Sequence, residues 1–486
     1  MEDRKDKNKY MTTNEGEPIY NDTDVLTVGE NGPILLKDQQ FIDKIAHITR
    51  ERMPPRVVHA KGSGAKGHFK VFNSMKKYTK ADVFTDTSCE TKVLVRFSLV
   101  GGEIGSPETA RDGRGFAVKF YTKDGNYDIV GLDFPVFFIK DAIRFPDLVH
   151  AFKNAPATNL PDLNMFWDFI ASAPESTQVI LHLFSDRGTR KSYIKMPGYG
   201  INTYQWVNKL GERFYVKYHW KPLAGDETIS AEEATRLAGE NPNVATQELY
   251  DTLNSGKKVE YDLYVQIMRP SEGKTLPYNP LDPTKKWSEE DFPLQLVGRL
   301  TLTDGPDNFY EEIEQAAFSP SNLVPGIEVS NDKLLQGRLF AYHDAQRYRI
   351  GTNFQQLPIN KPIKKVINNE RDGQMQFEKQ RGIAYSPNIL NNNQPRVTPD
   401  KYPTCGEYVE GHEVRKPISN RKEDDFTQAG RFFRSLSKTE RETIIKNLVD
   451  GLTGIDERIL DVVLGYFTKA DKFLGQILKN ELKKKC

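Results

Sequence analysis

Residues Leu334–Gly351 read LLQGRLFAYHDAQRYRIG and set a tyrosine among arginines on one helical stripe. Arg338, Tyr342, Ala345 and Arg349 stand at i, i+4, i+7 and i+11, the spacing that stacks side chains on one face. A guanidinium one turn from a buried phenol stabilises the phenolate, because a nearby positive charge favours the ionised form. A phenolate is a hard anionic ligand suited to ferric iron. Spacing alone describes an arginine-rich helix with Tyr342 half buried equally well, since structural ion pairs also perturb ionisable groups.

Working outward, the chain before this segment is rich in alternating strands. In TKVLVRFSLV, Val93, Val95, Phe97 and Leu99 face one way and Leu94, Arg96 and Ser98 the other. GFAVKFYT, ERFYVKYHW, VEYDLYVQIM and FPLQLVGRLTLT repeat the period of two. So many strands in one stretch predict a closed barrel, which leaves no unpaired edge. FPDLVHAFK and MFWDFIASAPES have spacing nearer 3.6 and predict helical inserts. The division read from these patterns is a polar N-terminal arm over 1–56, a β-barrel over 57–303, a wrapping connection with the Tyr342 helix over 304–423, and a helical domain over 424–486. The last part breaks at GLTGID and TKAD, as a small bundle does. The fold class is α+β.

Composition narrows the function. Among 486 residues the formal net charge is +1, so no global field favours nucleic acid or an anionic membrane. No stretch approaches the roughly 20 apolar residues of a membrane span. Three cysteines, Cys89, Cys405 and Cys486, are too few and scattered for a disulfide framework or a zinc site. With no apolar leader at the N-terminus and no S-K-L at the end, the expected compartment is the cytoplasm. Gly62, Gly64 and Gly67 in GSGAKG match a dinucleotide fingerprint formally, but that motif requires a helix next, and HFKVFN alternates like a strand.

Just beside those glycines lies RVVHAKGSGA, and further on VRFS, RDGRGFAVKFYT, PVFFIKDAIRFP, AFSPSNLVPGIE and DKLLQGRLF. Together with R-L-F-A-Y-H-D-A-Q-R-Y-R-I-G, these resemble the haem catalases, in one collinear order over roughly residues 20 to 486. The resemblance implies the catalase fold, an eight-stranded antiparallel β-barrel enclosing haem b, of the small-subunit type, assembled as a homotetramer and acting on hydrogen peroxide. It implies Tyr342 as the iron ligand, His59 as the distal histidine and Ser98 as its orienting partner. It also implies Arg56, Arg96 and Arg349 at the haem propionates, Arg338 behind Tyr342, Val58 and Asp112 along the main channel, and Phe137, Phe138, Phe145 and Phe318 packed against the haem. Arg96 and Ser98 emerge on the same strand face, which agrees independently.

Three departures follow from the same resemblance. Family members carry V-G-N-N where this chain has V-G-L-D, so Leu132 replaces the distal asparagine that hydrogen-bonds peroxide. Asp133 is expected on the opposite face. Losing one donor of this kind costs about 10² to 10³ in turnover. Leu132 therefore motivates an alternative activity, a catalase-like haem peroxidase or oxidase acting on an organic hydroperoxide or other small molecule; a non-enzymatic haem protein is a third reading. The NADPH pocket carries over in part: Ser185, Arg187, Lys221 and Trp287 match, whereas Gln178 and Glu289 stand where histidines are usual. Asn202 replaces a histidine placed at the haem edge.

Overall fold

The alternating stretch that contains Ser98 is one strand of a closed ring. The computed structural model describes residues 10–379, 382–398, 410–415 and 423–485; Cys405 and Cys486 lie outside the described residues. In chain order the strands are β1 (Gly62–Val71), β2 (Glu90–Leu99), β3 (Arg114–Thr122), β4 (Gly125–Leu132), β5 (Gly198–Tyr199), β6 (Tyr204–Val207), β7 (Arg213–Pro222), β8 (Val259–Met268), β9 (Gln295–Asp304) and β10 (Ile327–Val329). Neighbours run β1-β2-β3-β4-β5-β7-β8-β9, and β9 returns to β1, which closes an eight-stranded antiparallel barrel. β6 follows β5 along the same edge of β7 and takes β10 on its outer side. The three glycines of GSGAKG lie in β1 rather than in a phosphate-binding turn.

Aromatic side chains fill the barrel. Phe69 of β1 meets Phe120 of β3 at 5.4 Å and Trp220 of β7 at 6.2 Å, both edge to face. Phe116 of β3 stacks on Trp220 at 5.9 Å, although β3 and β7 are not neighbours in the ring, so the contact crosses the lumen. Such aromatic pairs add about 0.5–1.5 kcal/mol each beyond the area they bury. The expectation of a barrel that encloses haem is therefore corrected. The lumen is packed with Val93, Val95, Phe97 and their counterparts, while Leu94 packs on the outer wall.

The outer wall is ordered by register. Gly62, Ser98, Gly115, Leu132 and Tyr199 stand opposite one another from β1 to β5, and Gly64, Arg96, Ala117 and Val130 form the next row. Residues directly opposite across strands share a face. Leu94, Arg96 and Ser98 on this side are as buried as the lumen residues, because the segment after β9 covers them. Leu94 packs with Ile313, Ala316 and Phe318. The helix Lys333–Arg349 follows, its start capped by Asp332, which accepts a hydrogen bond from the Leu335 amide at 3.0 Å.

A second core joins the helices Leu163–Ala171 and Thr177–Phe184 to four C-terminal helices, Thr427–Ser435, Lys438–Leu452, Glu457–Ala470 and Lys472–Lys485. The Trp167 indole donates to the Gly451 carbonyl at 2.7 Å across this joint. Two helices between β7 and β8, Ala231–Glu240 and Val244–Asn254, were not expected from the strand pattern. Ser230 caps the first by accepting from the Glu233 amide, a local signal that the surrounding β periodicity obscures. Residues 1–55 form a separate unit, whose helix Gln39–Ile48 is capped by Asp38 and buries none of its residues within that unit.

Candidate active site

His59 lies in the loop before β1 and has a left-handed backbone, φ 65°, an uncommon conformation for a residue with a side chain. Its amide donates to the Val100 carbonyl at 3.0 Å, and its Nδ1 lies 2.9 Å from Ser98 Oγ. Gly115 makes this pair sterically feasible: a Cβ there would fall 2.3 Å from Ser98 Oγ and 2.7 Å from His59 Nδ1. Burial, and then the charges of Arg96, Arg338 and Arg56, push the His59 pKa down to about 3. The imidazole is therefore neutral at neutral pH. With Nδ1–H assigned as donor to Ser98 Oγ, Nε2 carries the lone pair.

Leu132 stands across from Gly115 on the same wall and is buried. Asp133 is engaged elsewhere. Its carboxylate accepts from the Arg114 amide at 2.7 Å and from Arg190 Nε at 3.2 Å, so it is committed to those two arginines. Val58 is half buried beside His59. Asp112 accepts from the amides of Gly101 and Gly113 at 2.7 and 2.8 Å, and burial pushes its pKa up to about 6.

Three arginines gather at one end of this wall. Glu314 takes Arg56 at 3.3 Å and Arg349 at 3.0 Å, while Arg96 donates from one terminal nitrogen to the Ala60 carbonyl and keeps a buried Nε with no partner. Burial, followed by Arg96 and Arg349 beside it, holds Arg56 well below its usual range. The surplus of positive charge suits an anionic ligand edge.

At the other end, Arg338 donates from Nη2 to Tyr342 Oη at 2.7 Å and to the Val130 carbonyl at 3.0 Å. The Lys333–Arg349 helix is thus tied to β4 through Arg338 and to Glu314 through Arg349. Phe318 joins Ala117 and Val130 here. Phe137, Phe138 and Phe145 pack with the helical core, Phe138 edge to face on Phe152 at 5.2 Å, and Phe137 and Phe145 keep part of their surface open. A wall of glycine and alanine, a buried guanidinium nitrogen without a partner and a tyrosine oxygen fit a flat anionic group carrying a hard metal, as haem does. A single phenolate leaves the other positions of an iron to a macrocycle.

Asn202 lies behind Arg338, accepting from Nη1 at 2.5 Å and donating to Asp332 at 2.7 Å. Among the residues matched to a dinucleotide, Ser185 donates to the His182 carbonyl and Trp287 to the Pro280 carbonyl. Arg187 covers the Phe432 ring, Lys221 covers Tyr264, and Phe432 itself stacks on His182 at 3.9 Å. These groups form no prepared phosphate cradle, Glu289 is exposed, and nothing in the geometry supports NADPH.

Gly115, Glu314 and Asp332 escaped the sequence reading. Asp332 had a detectable signal, an acidic residue just before a helical run. Gly115 and Glu314 act through partners distant in the chain and had none.

Known proteins share this architecture throughout. The catalase family model matches residues 12–392, and a catalase-related immune-responsive model matches residues 419–482. A catalase of Listeria seeligeri is 45% identical over 457 residues, spanning 93% of this chain and 92% of its own. Catalase-1 of Arabidopsis thaliana is 44% identical over 476 residues, 97% of this chain and 96% of its own. A solved bacterial catalase superposes with a TM-score of 0.92 at 38% identity, covering 99% of this chain and 96% of its own. With that agreement extending from the strands through the C-terminal helices, the chain belongs to the catalase family.

Proposed function

We infer that this enzyme decomposes hydrogen peroxide to water and dioxygen with a haem b lying on the outer wall of the barrel, between His59 and Tyr342. The observation that carries the reading is the His59–Ser98 pair, an imidazole held at 2.9 Å and kept unprotonated by burial and arginine charge, so that Nε2 is free to accept a proton. Haem, when bound, supplies an iron centre that gives two electrons to one peroxide and takes two from the next. His59 Nε2 takes the proton from one oxygen of the first peroxide and returns it to the other, which leaves as water. It serves again as the second peroxide loses its hydrogens and departs as dioxygen. Two peroxides thus yield two waters and one dioxygen.

Ser98 orients the imidazole. Tyr342 would hold the iron through its oxygen, to which Arg338 donates at 2.7 Å. Arg56, Arg96 and Arg349 would hold the propionates, Val58 and Asp112 would line the approach, and Phe318 would pack beside the macrocycle. Leu132 contributes bulk but no donor. The relatives' own name supports peroxide decomposition and gives no weight to the organic hydroperoxide alternative. Purified, haem-replete protein should release oxygen from hydrogen peroxide and show a tyrosinate-ligated ferric spectrum. A histidine or thiolate signature, or a protein that takes up no haem, overturns the reading.

The small-subunit form is supported by the fit of this chain to 92% and 96% of the length of the two catalases described above. A homotetramer is supported by apolar residues exposed on the main unit, among them Phe340 and Tyr348 on the Tyr342 helix and Ile367, Ile389 and Leu390 after it. Light scattering should give four times 55.5 kDa. Among the described residues no helix is long and apolar enough to cross a membrane. The sparse cysteines support a cytoplasmic location, which cell fractionation would test.

A further inference from the structure

β3 and β4 are clamped together at the end that carries Gly115 and Leu132. Arg114 precedes Gly115 and Asp133 follows Leu132, and the two exchange hydrogen bonds. The Asp133 amide donates to the Arg114 carbonyl at 2.8 Å, and the Arg114 amide donates to Asp133 Oδ1 at 2.7 Å. The second bond uses a side chain where a strand ordinarily offers a carbonyl. Asp133 Oδ2 accepts from Arg190 Nε at 3.2 Å. Through Nη1, Arg190 reaches Asp226 Oδ1 at 2.6 Å and the Glu227 carbonyl at 3.0 Å, which ties the end of β4 to the connection between β7 and the helix Ala231–Glu240. Arg114, Asp133 and Arg190 are all buried, none more than 2% exposed.

The guanidinium of Arg114 donates to the carbonyls of Glu108, Ala110 and Gly188, so the cation that meets the Asp133 carboxylate is Arg190. A buried carboxylate that loses its cation turns to another partner or draws in water. Either response pulls on the Arg114 amide. The next residue leaves no slack: Ser98 Oγ and His59 Nδ1 crowd the place a Cβ on Gly115 would take, at 2.3 and 2.7 Å. Movement of β3 against its neighbours is therefore felt by the imidazole, and a displacement of about 1 Å in a reacting group costs roughly 10² in rate.

We propose that Asp133 and Arg190 are positioning residues for the peroxide site: Arg190 holds the Asp133 carboxylate on the Arg114 amide, and that clamp fixes where Gly115 and Leu132 stand against the His59–Ser98 pair. The inference rests on the peroxide reading above and deepens it. Both residues act through β3 and β4 rather than by contact with peroxide. The clamp fails when its acceptor is removed or when the carboxylate is left without its cation. It recovers when a neutral amide pair replaces both side chains, because the Arg114 amide then keeps an acceptor and no buried charge is stranded.

The test compares haem-loaded parent, Asp133→Ala, Arg190→Gln and the double variant Asp133→Asn with Arg190→Gln. The readouts are kcat and KM for peroxide, the rate at which hydrogen cyanide binds the ferric haem, and the melting temperature. Hydrogen cyanide must lose its proton inside the pocket to bind as cyanide, so its rate reports the placement of the base without turnover. Each single variant should lower kcat by roughly tenfold to 10², slow cyanide binding by a similar factor and change KM little. The double variant should recover most of both rates. Rates equal to the parent's in both single variants overturn the inference, even where the melting temperature falls. A double variant as slow as the singles overturns the coupling of Arg190 to Asp133. Should Arg190→Gln fail to fold, Asp133→Ala against the double variant decides in the same way. A parent that binds haem and cyanide but releases no oxygen defeats the peroxide reading instead, and the cyanide rates still test the clamp.

Discussion

Leu132 stands directly opposite Gly115 across β3 and β4, on the wall where the missing side chain of Gly115 leaves room for the His59–Ser98 pair. Gly115 makes the pair feasible by lacking a side chain, and Leu132 beside it offers bulk but no hydrogen-bond donor.

Placing a donor at this position should raise activity. Leu132→Asn is expected to increase oxygen release by up to about 10² to 10³, the scale on which single transition-state donors act. Initial rates on haem-matched samples check this. No gain would show that Leu132 has been accommodated by other changes in the pocket.

Filling Gly115 should do the reverse. Gly115→Ala places a methyl 2.3 Å from Ser98 Oγ and 2.7 Å from His59 Nδ1, so the imidazole must move. Overpacking of this kind costs about 1–3 kcal/mol. Turnover is expected to fall further than that destabilisation explains, because the displaced group is the base. Haem content, melting temperature and oxygen release measured together separate the two effects.

The acid limb of activity should lie far below the ordinary histidine range. His59 titrates near 6.5 when unperturbed and at about 3 in the folded protein, so kcat/KM should show no inflection from this group between pH 5 and 7. The linkage has a definite sign. Between those two values the unfolded chain binds the extra proton, so this contribution to stability is present above pH 6.5 and is lost as pH falls toward 3. An inflection near pH 6.5 that disappears in Ser98→Ala would contradict the assigned state of His59.

The pair Lys119–Asp128 anchors the segment carrying Phe318. Its ions meet at 2.9 Å with both side chains almost wholly buried, and Asp128 also accepts from the Ser319 amide at 2.9 Å and Asn322 Nδ2 at 2.8 Å. Lys119→Met leaves a buried carboxylate without its cation, a change that costs about 3–5 kcal/mol. Urea unfolding of the variant should show a clearly lower midpoint, accompanied by weaker haem retention. An unchanged midpoint would mean that water enters to solvate Asp128.

Local patterns carried much of the fold. The period of two in VEYDLYVQIM became β8 over the same residues, Val259–Met268, and the stripe through Arg338, Tyr342 and Arg349 became one helix of 17 residues. Each depends on backbone geometry that neighbouring residues largely settle. The helices Ala231–Glu240 and Val244–Asn254 were lost because short polar helices bury only a few side chains and leave a weak periodic trace. The partners of Asn202 were hidden for another reason. Its neighbours in sequence say nothing of Arg338, 136 positions away.

The sequence by itself determined the alternation of the strands, the helix that presents Tyr342 and the chemical types available, a histidine, a tyrosine and several arginines, because these follow from local periodicity and side-chain chemistry. Tertiary structure decided that the barrel fills its own lumen, that Glu314 joins Arg56 to Arg349, and that Asp332 and Asn202 stand behind Arg338. Those outcomes depend on ring closure and cross-strand register, and on which buried charges meet, and no single stretch of chain encodes them.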